Sequence, residues 1–557
     1  MTLYARPPAW VKMDNGHSLT YEQGAFTCDS RGHLFLRSTG QPALEIGLFL
    51  WHDAWVYETL EAGKVESASV QPDGSLSLQG LWGAKEGAAR LRYTLTLTPE
   101  KDQVAARLEV EKTGELKLTD GVWASMRTAV ATNDQRRVYL RPSGDVPVGK
   151  SIDGIFKQTF IGTENGPALF FSGEGVCHLR SRTGNKSHAF EVKFAKKRDF
   201  ACGEKMTVAM TFGFTAMPAV LRPVLNGNAP LALSAQAPAK VDLYGKCEID
   251  VALKGTWDNP YDPDDISLDA EVTTASGRTY TQPGFFMVPH RCEQEGVEEL
   301  MLPEGEGQWK VRLAASEIGP LRVRLTARDR SGKAVFELPH AITVTGDNRS
   351  KGFVRVSQAD AHYLAHDSGE GFVPVGHNVP IYQSSNDMSV KDILEKMAAN
   401  GENWNRWWLS KSGLGLEWEP KLGWYRQAQA ATLDRLLDDA GRLGMYYLLC
   451  MDTHQDFREE GWKSNPFNVS QGGPCKTAGE WFTNEAAKAL YRKRLRYTVA
   501  RWGYSPHVLC WEFGNEFEGW ADAKQETIIA WHREMAALRC RPGRRTACRR
   551  RWRAERA

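Results

Sequence analysis

Apolar residues alternate with polar ones at Leu91, Tyr93, Leu95 and Leu97, a turn-forming Pro99-Glu-Lys-Asp follows, and Val104, Ala106, Leu108 and Val110 alternate again. A period of two on either side of a turn predicts a half-buried β-hairpin. Similar runs reach Met206-Thr-Val-Ala-Met-Thr-Phe-Gly-Phe214, after which Pro218, Pro223 and Asn226-Gly-Asn-Ala-Pro break the pattern. Residues 1–225 are therefore expected to form one all-β sandwich. A second strand-rich stretch, 226–348, is expected to form another: Leu321, Val323, Leu325 and Ala327 face one side, Arg322, Arg324, Thr326 and Arg328 the other, and Asp329-Arg-Ser-Gly turns the chain.

From residue 352 the period changes. Phe372-Val-Pro-Val-Gly reads as a short strand, and Ser389 caps a helix with apolar Val390, Ile393, Leu394, Met397 and Ala398, stopping at Asn400-Gly401. Asn403-Trp-Asn-Arg-Trp-Trp-Leu is a second strand. Leu433, Leu436, Leu437, Ala440 and Leu443 line a helix ending at Gly444, and Met445-Tyr-Tyr-Leu-Leu-Cys-Met451 is apolar throughout, as a strand buried on both faces should be. A third helix spans 483–502, Pro506-His-Val-Leu-Cys-Trp511 is a fourth strand, and another helix starts near Ala521. Strands alternating with helices predict a parallel sheet, open or closed, over 352–538.

Composition adds little until the last residues. The chain has 557 residues, with 70 Lys+Arg and 68 Asp+Glu. Residues 539–557 hold nine Arg and one Glu, so the preceding part carries 61 basic and 67 acidic residues, or −6, and the tail +8. This Arg/Ala/Cys/Gly/Pro text interrupts an amphipathic helix, and reading GC-rich DNA out of frame yields those residues, so a frameshift near 539 is expected; a basic arm binding nucleic acid is the rival reading. No nucleic-acid module precedes the tail, so no nucleic-acid partner is expected. No membrane partner is expected either, because no apolar run approaches the length of a span. The start lacks the apolar core of a secretory signal, which leaves localisation open. Ten scattered cysteines include no Cys-x-x-Cys pair. His454 with Asp456 gives two metal ligands without a third, and no Walker-type loop is present, so neither metal nor other cofactor is expected. Oligomeric state is not readable.

Eleven of the nineteen tryptophans lie between Trp404 and Trp531. That concentration suits stacking on sugar rings, although any single Trp can equally fill the core. The sharpest motif is Trp511-Glu-Phe-Gly-Asn-Glu-Phe-Glu-Gly-Trp520, directly after a buried strand. It resembles glycoside hydrolase clan A, in a family-5-like, cellulase-type form, whose fourth barrel strand ends in Asn-Glu. The resemblance implies that Glu516 is the general acid/base and that Asn515 binds the 2-hydroxyl of the sugar. Gly376-His377-Asn378, Asn405-Arg406-Trp407-Trp408 and Asp452-Thr453-His454 would stand at the ends of strands one to three. Arg406, His454, His377, Asn378, Trp408 and Trp520 are thereby implied as substrate-binding, with Arg406 steadying the catalytic carboxylates. Singly, His377 and His454 also read as structural histidines and Arg406 as an ion-pair member; Glu512 and Glu518 rival Glu516. Upstream, Trp257-Asp-Asn-Pro-Tyr-Asp, Ala275-Ser-Gly, Gly284-Phe-Phe and Gly307-Gln-Trp-Lys-Val-Arg resemble the immunoglobulin-like domain of unknown function 5060.

The resemblance implies a retaining glycosidase on a (β/α)8 barrel, acting on a carbohydrate substrate. Its nucleophile would come from strand seven. Four strands spaced by about 45 residues make only half of a barrel that needs eight strands and about 250 residues. The sequence thus predicts two N-terminal β-sandwiches, the first four βα units of a TIM barrel and no strand-seven nucleophile, hence no catalysis by this chain alone. The competing expectation is a non-catalytic carbohydrate-binding or scaffold protein.

Overall fold

The computed structural model describes residues 8–538 except 39–42, 53–55, 86–87, 130–136, 142–143, 148–152, 163–166, 184–186, 194–200, 217–225, 296, 305, 347–349, 384–387, 419–421, 518–519 and 521–522. The Arg-rich tail, the boundary near 225 and Glu518 lie outside the described residues. The chain forms two compact units: Met1–Arg222 with Glu293–Leu300, and Pro223–Cys292 with Met301–Ala557.

The first unit is all β. Its strands between Val11 and Ala216 join one seventeen-stranded hydrogen-bonded sheet, and Glu293–Leu300 belongs to a separate two-stranded one. The hairpin at its centre pairs Ala88–Pro99 with Gln103–Lys112, Leu97 opposite Ala106 and Leu95 opposite Leu108, and Lys205–Ala216 continues the sheet on the other side of Gln103–Lys112. The alternating residues Leu91, Tyr93, Leu95, Leu97, Val104, Ala106, Leu108 and Val110 are all buried in one core. That burial, at roughly 25 cal/mol per Å² of apolar surface, is what the period of two encodes.

The second unit begins with two sheets. One holds Gly227–Gln236, Cys247–Trp257, Gln308–Leu313 and Phe285–Met287; the other is built on Gly319–Asp329, flanked by Ser267–Thr273 and Ile342–Thr345. After them comes a four-stranded parallel sheet, β1 (Gly376–His377), β2 (Trp404–Trp408), β3 (Tyr446–Cys450) and β4 (Val508–Glu512), its strands adjacent in chain order. Helices α1 (Val390–Ala399), α2 (Gln427–Leu443) and α3 (Glu485–Trp502) connect them, and α4 (Gln525–Leu538) follows. Local chemistry fixes the helix ends. Ser389 and Asp392 form a reciprocal capping box on α1, Asn484 accepts from the first amides of α3, and Gly444 ends α2 at φ 68°, where a Cβ would be strained. Four parallel neighbours in chain order are common to an open sheet and part of a closed barrel.

The first expected strand needs correction. Phe372 belongs to a small antiparallel meander of Val354–Val356, Leu364–His366 and Gly371–Phe372. Pro374 has no N–H for a ladder, and Val373 and Val375 are 69% and 53% exposed. Instead Asn403 clamps this stretch from the side, accepting from Val375 N–H at 2.8 Å and donating to the Val373 carbonyl at 3.0 Å. Parallel pairing begins only at Gly376.

The two upstream sheets and the parallel sheet share one hydrophobic core, which runs from Ile249 and Trp309 to Leu433 and Trp502. Where they meet, Asp434 of α2 accepts from Arg501 of α3 (Nη2, 2.7 Å), from Arg312 of the strand Gln308–Leu313 (Nη1, 2.7 Å) and from Trp502 (Nε1, 2.7 Å). Arg501 also donates to Gln427 and Tyr497, and Arg312 to Glu248. Although burial alone would raise it, the two guanidinium groups hold the Asp434 carboxyl down at about 2. Removing one member of such a buried network leaves the rest unpaired, at a cost of about 3–5 kcal/mol. Asp434→Ala should therefore lower the stability of the second unit by that order in denaturant melts followed by Trp fluorescence; a change below about 1 kcal/mol would show that the junction does not hold the parallel sheet to the sheets before it.

Candidate functional site

Alternation along β2 sends Trp404, Arg406 and Trp408 to a half-buried face, and Asn405 and Trp407 to the buried one. On β4 the same half-buried side carries Cys510 and Glu512. The Arg406 guanidinium meets Glu512 through two hydrogen bonds, Nε to Oε2 at 2.8 Å and Nη2 to Oε1 at 2.5 Å, passing over β3, which lies between. Nη2 also donates to Asn515 Oδ1 at 2.8 Å. Arg406, expected to steady the catalytic carboxylates, holds Glu512 and Asn515, the residue before Glu516.

Past the end of β4 the backbone is gripped from two sides. Asn515 N–H donates to the Asp452 carbonyl at 3.0 Å, and the Asn515 carbonyl accepts from Trp520 Nε1 at 3.1 Å. Asn515 Nδ2 lies 2.8 Å from His454 Nδ1. Glu516 follows at φ 52°, a left-handed conformation costly for a residue with a Cβ, of the order of 1–3 kcal/mol. Its side chain is 52% exposed, with Oε2 3.4 Å from His454 Nδ1. His454 meets Trp408 edge to face at 6.0 Å between ring centroids, and Arg406 sits 5.9 Å from the Trp408 ring. Arg406, Trp408, His454, Asn515 and Glu516 thus come together at the C-terminal ends of β2, β3 and β4.

Three expected residues do not join them. His377 pairs in register with Asn405, so its side chain is on the face opposite Arg406; it is 72% exposed and bonds Glu402 at 2.7 Å. Asn378 is exposed where the chain leaves β1, and no hydrogen bond ties it to the cluster among the described residues. Trp520 is only 2% exposed, stacked on Phe457 at 3.9 Å. Its indole supports the Asn515 carbonyl from within the core and offers no face to a sugar. Asn405, which the motif put at the rim, instead clamps the chain after β1, accepting from Val379 N–H at 2.9 Å.

Beneath the cluster are three carboxyl groups: Asp452 and Asp456, which flank His454 in the strand-three motif, and Glu417, which no sequence pattern singled out. Asp452 accepts from Arg494 Nη2 of α3 at 2.5 Å, and Glu417, in the connection after β2, lies 3.3 Å from Arg494 Nη1. Asp456 accepts from the Lys411 amide and the Thr453 hydroxyl, each at 3.4 Å. Burial drives all three up: Asp452 to about 6 despite the attraction of Arg494, Glu417 to about 7 with Arg494 pulling the other way, and Asp456 to about 7 with the Asp452 charge adding to the rise. Among the described residues no set of three His, Cys, Asp or Glu side chains is placed to hold a metal ion, and no helix is long and apolar enough to cross a membrane.

No family model matches the chain. It is similar to plant enzymes over part of its length: 28% identical over 158 residues to mannan endo-1,4-beta-mannosidase 3 of Oryza sativa subsp. japonica, covering 27% of this chain and 33% of the relative. It is 24% identical over 204 residues to mannan endo-1,4-beta-mannosidase 5 of Solanum lycopersicum, covering 34% and 48%. The chain therefore spans a third to a half of these relatives. Among solved structures, a candidate glycoside hydrolase from Bacteroides vulgatus shares 16% identity over 54% of each chain at a TM-score of 0.38. Bacteroides uniformis beta-glucuronidase 3 shares 12% over 76% of this chain and 47% of its own at 0.24. Scores this low assign neither fold nor activity.

The raised carboxyls tie stability to pH. Folding raises their pKa values, so the folded chain binds more protons than the unfolded one between about pH 4 and pH 7, and stability from these groups is lost as pH rises through that window. Half-buried His290 and His507, lowered mainly by desolvation, act in the opposite sense, so the comparison with Glu417→Gln is the informative one. That variant should match the wild type near pH 5 and exceed it by up to about 3 kcal/mol near pH 8, read from thermal melts. A difference that does not change with pH would contradict the assignment.

Proposed function

We propose that the parallel sheet is the acid/base side of a retaining glycoside-hydrolase site acting on a β-linked polysaccharide of the mannan class, with Glu516 as proton donor. The observation that carries this reading is the convergence of Arg406, His454 and Asn515 around Glu516, a half-exposed carboxyl on strained backbone at the C-terminal ends of parallel strands. The resemblance of the Trp511–Trp520 segment to clan A and the partial similarity to plant mannan endo-1,4-beta-mannosidases support it, and the latter suggest the substrate class.

The chemistry follows from the side chains. Glu516 protonates the oxygen of the departing sugar and later takes a proton from water. Asn515, its carboxamide held by Arg406, binds the 2-hydroxyl, and Trp408 and His454 line the sugar's other contacts. A retaining mechanism also needs a nucleophilic carboxylate about 5 Å from the acid. On this reading the sheet is the first half of a (β/α)8 barrel whose seventh strand supplies that group, and the immunoglobulin-like sandwich ahead of it is a packing partner.

Non-catalytic carbohydrate binding is the second reading. It is favoured by Glu512, another carboxyl group in the cluster, being committed to two of the Arg406 hydrogen bonds. Two measurements separate the readings. Trp fluorescence titrated with mannohexaose should report binding that Trp408→Ala weakens tenfold or more; an unchanged affinity would remove Trp408 from the site. In a chain extended through a strand-seven carboxylate, Glu516→Gln should cost roughly 10²–10⁴ in rate on mannan and much less on aryl mannosides whose leaving groups need no proton. Equal loss on both substrates would rule out the acid role, and no cleavage by the extended wild type would favour the binding reading.

A further inference from the structure

The hydrogen bonds in the cluster leave the proton on His454 no freedom. A guanidinium donates and never accepts. Arg406 Nη2 at 2.8 Å therefore requires oxygen, not nitrogen, at the Asn515 position facing it, which turns the Asn515 amide nitrogen toward His454. That nitrogen is a donor, so His454 Nδ1 at 2.8 Å must accept, which it can do only as a bare nitrogen. The ring proton then belongs on Nε2 and the imidazole is neutral. Arg406 is itself oriented by two bonds to Glu512, a residue outside contact with His454 or Glu516 in this network.

We propose that Glu512 is a positioning residue: acting through Arg406 and Asn515, it fixes His454 as the neutral Nε2-protonated tautomer and so prevents His454 from forming an ion pair with Glu516. The geometry shows what is at stake. Glu516 Oε2 is 3.4 Å from the same Nδ1. Were Nδ1 protonated, it would face the Asn515 amide hydrogens, a repulsive contact, and would offer Glu516 a cation that holds its carboxyl ionised. With a lone pair there, Glu516 meets no positive charge from the ring. The tautomer assignment stands on hydrogen bonding alone; its consequence for Glu516 as an acid rests on the function proposed above.

NMR of isotope-labelled histidine ring nitrogens in the full chain reads the tautomer directly, with His454 assigned by the signal lost in His454→Gln. The wild type at neutral pH should show Nδ1 bare and Nε2 protonated. Asn515→Asp replaces the donor by an acceptor of the same shape and should move the proton to Nδ1. Glu512→Gln, nearly isosteric, removes one of the acceptors that orient Arg406 and should produce a mixture of both tautomers. A wild-type ring protonated on Nδ1 would overturn the proposal, and an unchanged single tautomer in Glu512→Gln would remove Glu512 from it. Mannohexaose titrated into the same samples keeps the two ideas apart: the expected tautomers without sugar binding uphold the relay and count against the glycosidase reading, whereas sugar binding with Nδ1 protonated does the reverse.

Discussion

The doubly hydrogen-bonded contact between Arg406 and Glu512 is the constraint on which the rest of the site depends. It joins β2 to β4 over the intervening strand, on a face where both side chains are more than two-thirds removed from solvent. Charge-assisted bonds in such a setting are short, directional and stronger than neutral ones. Because Arg406 is fixed, Asn515 has one orientation; because Asn515 is fixed, so are the His454 tautomer and the starting point of the strained turn at Glu516. An ordinary surface ion pair would contribute little to stability and nothing to geometry. This one differs in that a third partner shares its guanidinium.

The site is held from below by the same helix that reaches the strand Gln308–Leu313 through Asp434. Helix α3 carries Arg494, which bonds Asp452 under the cluster, and, two turns later, Arg501, which bonds Asp434 at the junction. Asp452 in turn accepts the Asn515 amide. A continuous path of buried charged groups therefore connects the upstream sheet, the helix and the strand end. The balance is uneven along it: at the junction two arginines surround Asp434 and keep it ionised, whereas beneath the site Arg494 is the principal cation among three buried carboxyls, which rise toward neutrality. The junction is thus the rigid end of the path and the base of the site the proton-sensitive one.

Much of this architecture was legible in the sequence wherever a period reported a buried face. The hairpin around Pro99 and the strand at Leu321–Ala327 show the burial that alternation implies, and α1 starts and stops at Ser389 and Asn400 as cap chemistry requires. Strand one was misplaced because the apolar residues Phe372, Val373 and Val375 bracket a proline that cannot join a ladder, and Asn403, a polar side chain, supplies the bonds instead. Trp520 was misread because aromatic content does not say which ring is covered; its neighbour Phe457 is distant in sequence. The role of Glu512 was more accessible than it seemed: it is in phase with Cys510 on the half-buried face of β4, and a carboxylate there needs a cation, which the matching face of β2 supplies in Arg406. Asp452 and Asp456 stand beside His454 in the sequence, but their burial with Glu417 left no local trace, since that proximity is created by loops and by α3.

A double-mutant cycle on Arg406→Met and Glu512→Gln, followed by denaturant unfolding of the second unit, tests the central constraint most directly. If the contact holds β2 and β4 as described, the two changes are coupled by at least about 1 kcal/mol, the double variant losing much less than the sum of the singles. Additive losses, within about 0.5 kcal/mol, would mean that Arg406 and Glu512 act independently and that the order of the site comes from elsewhere.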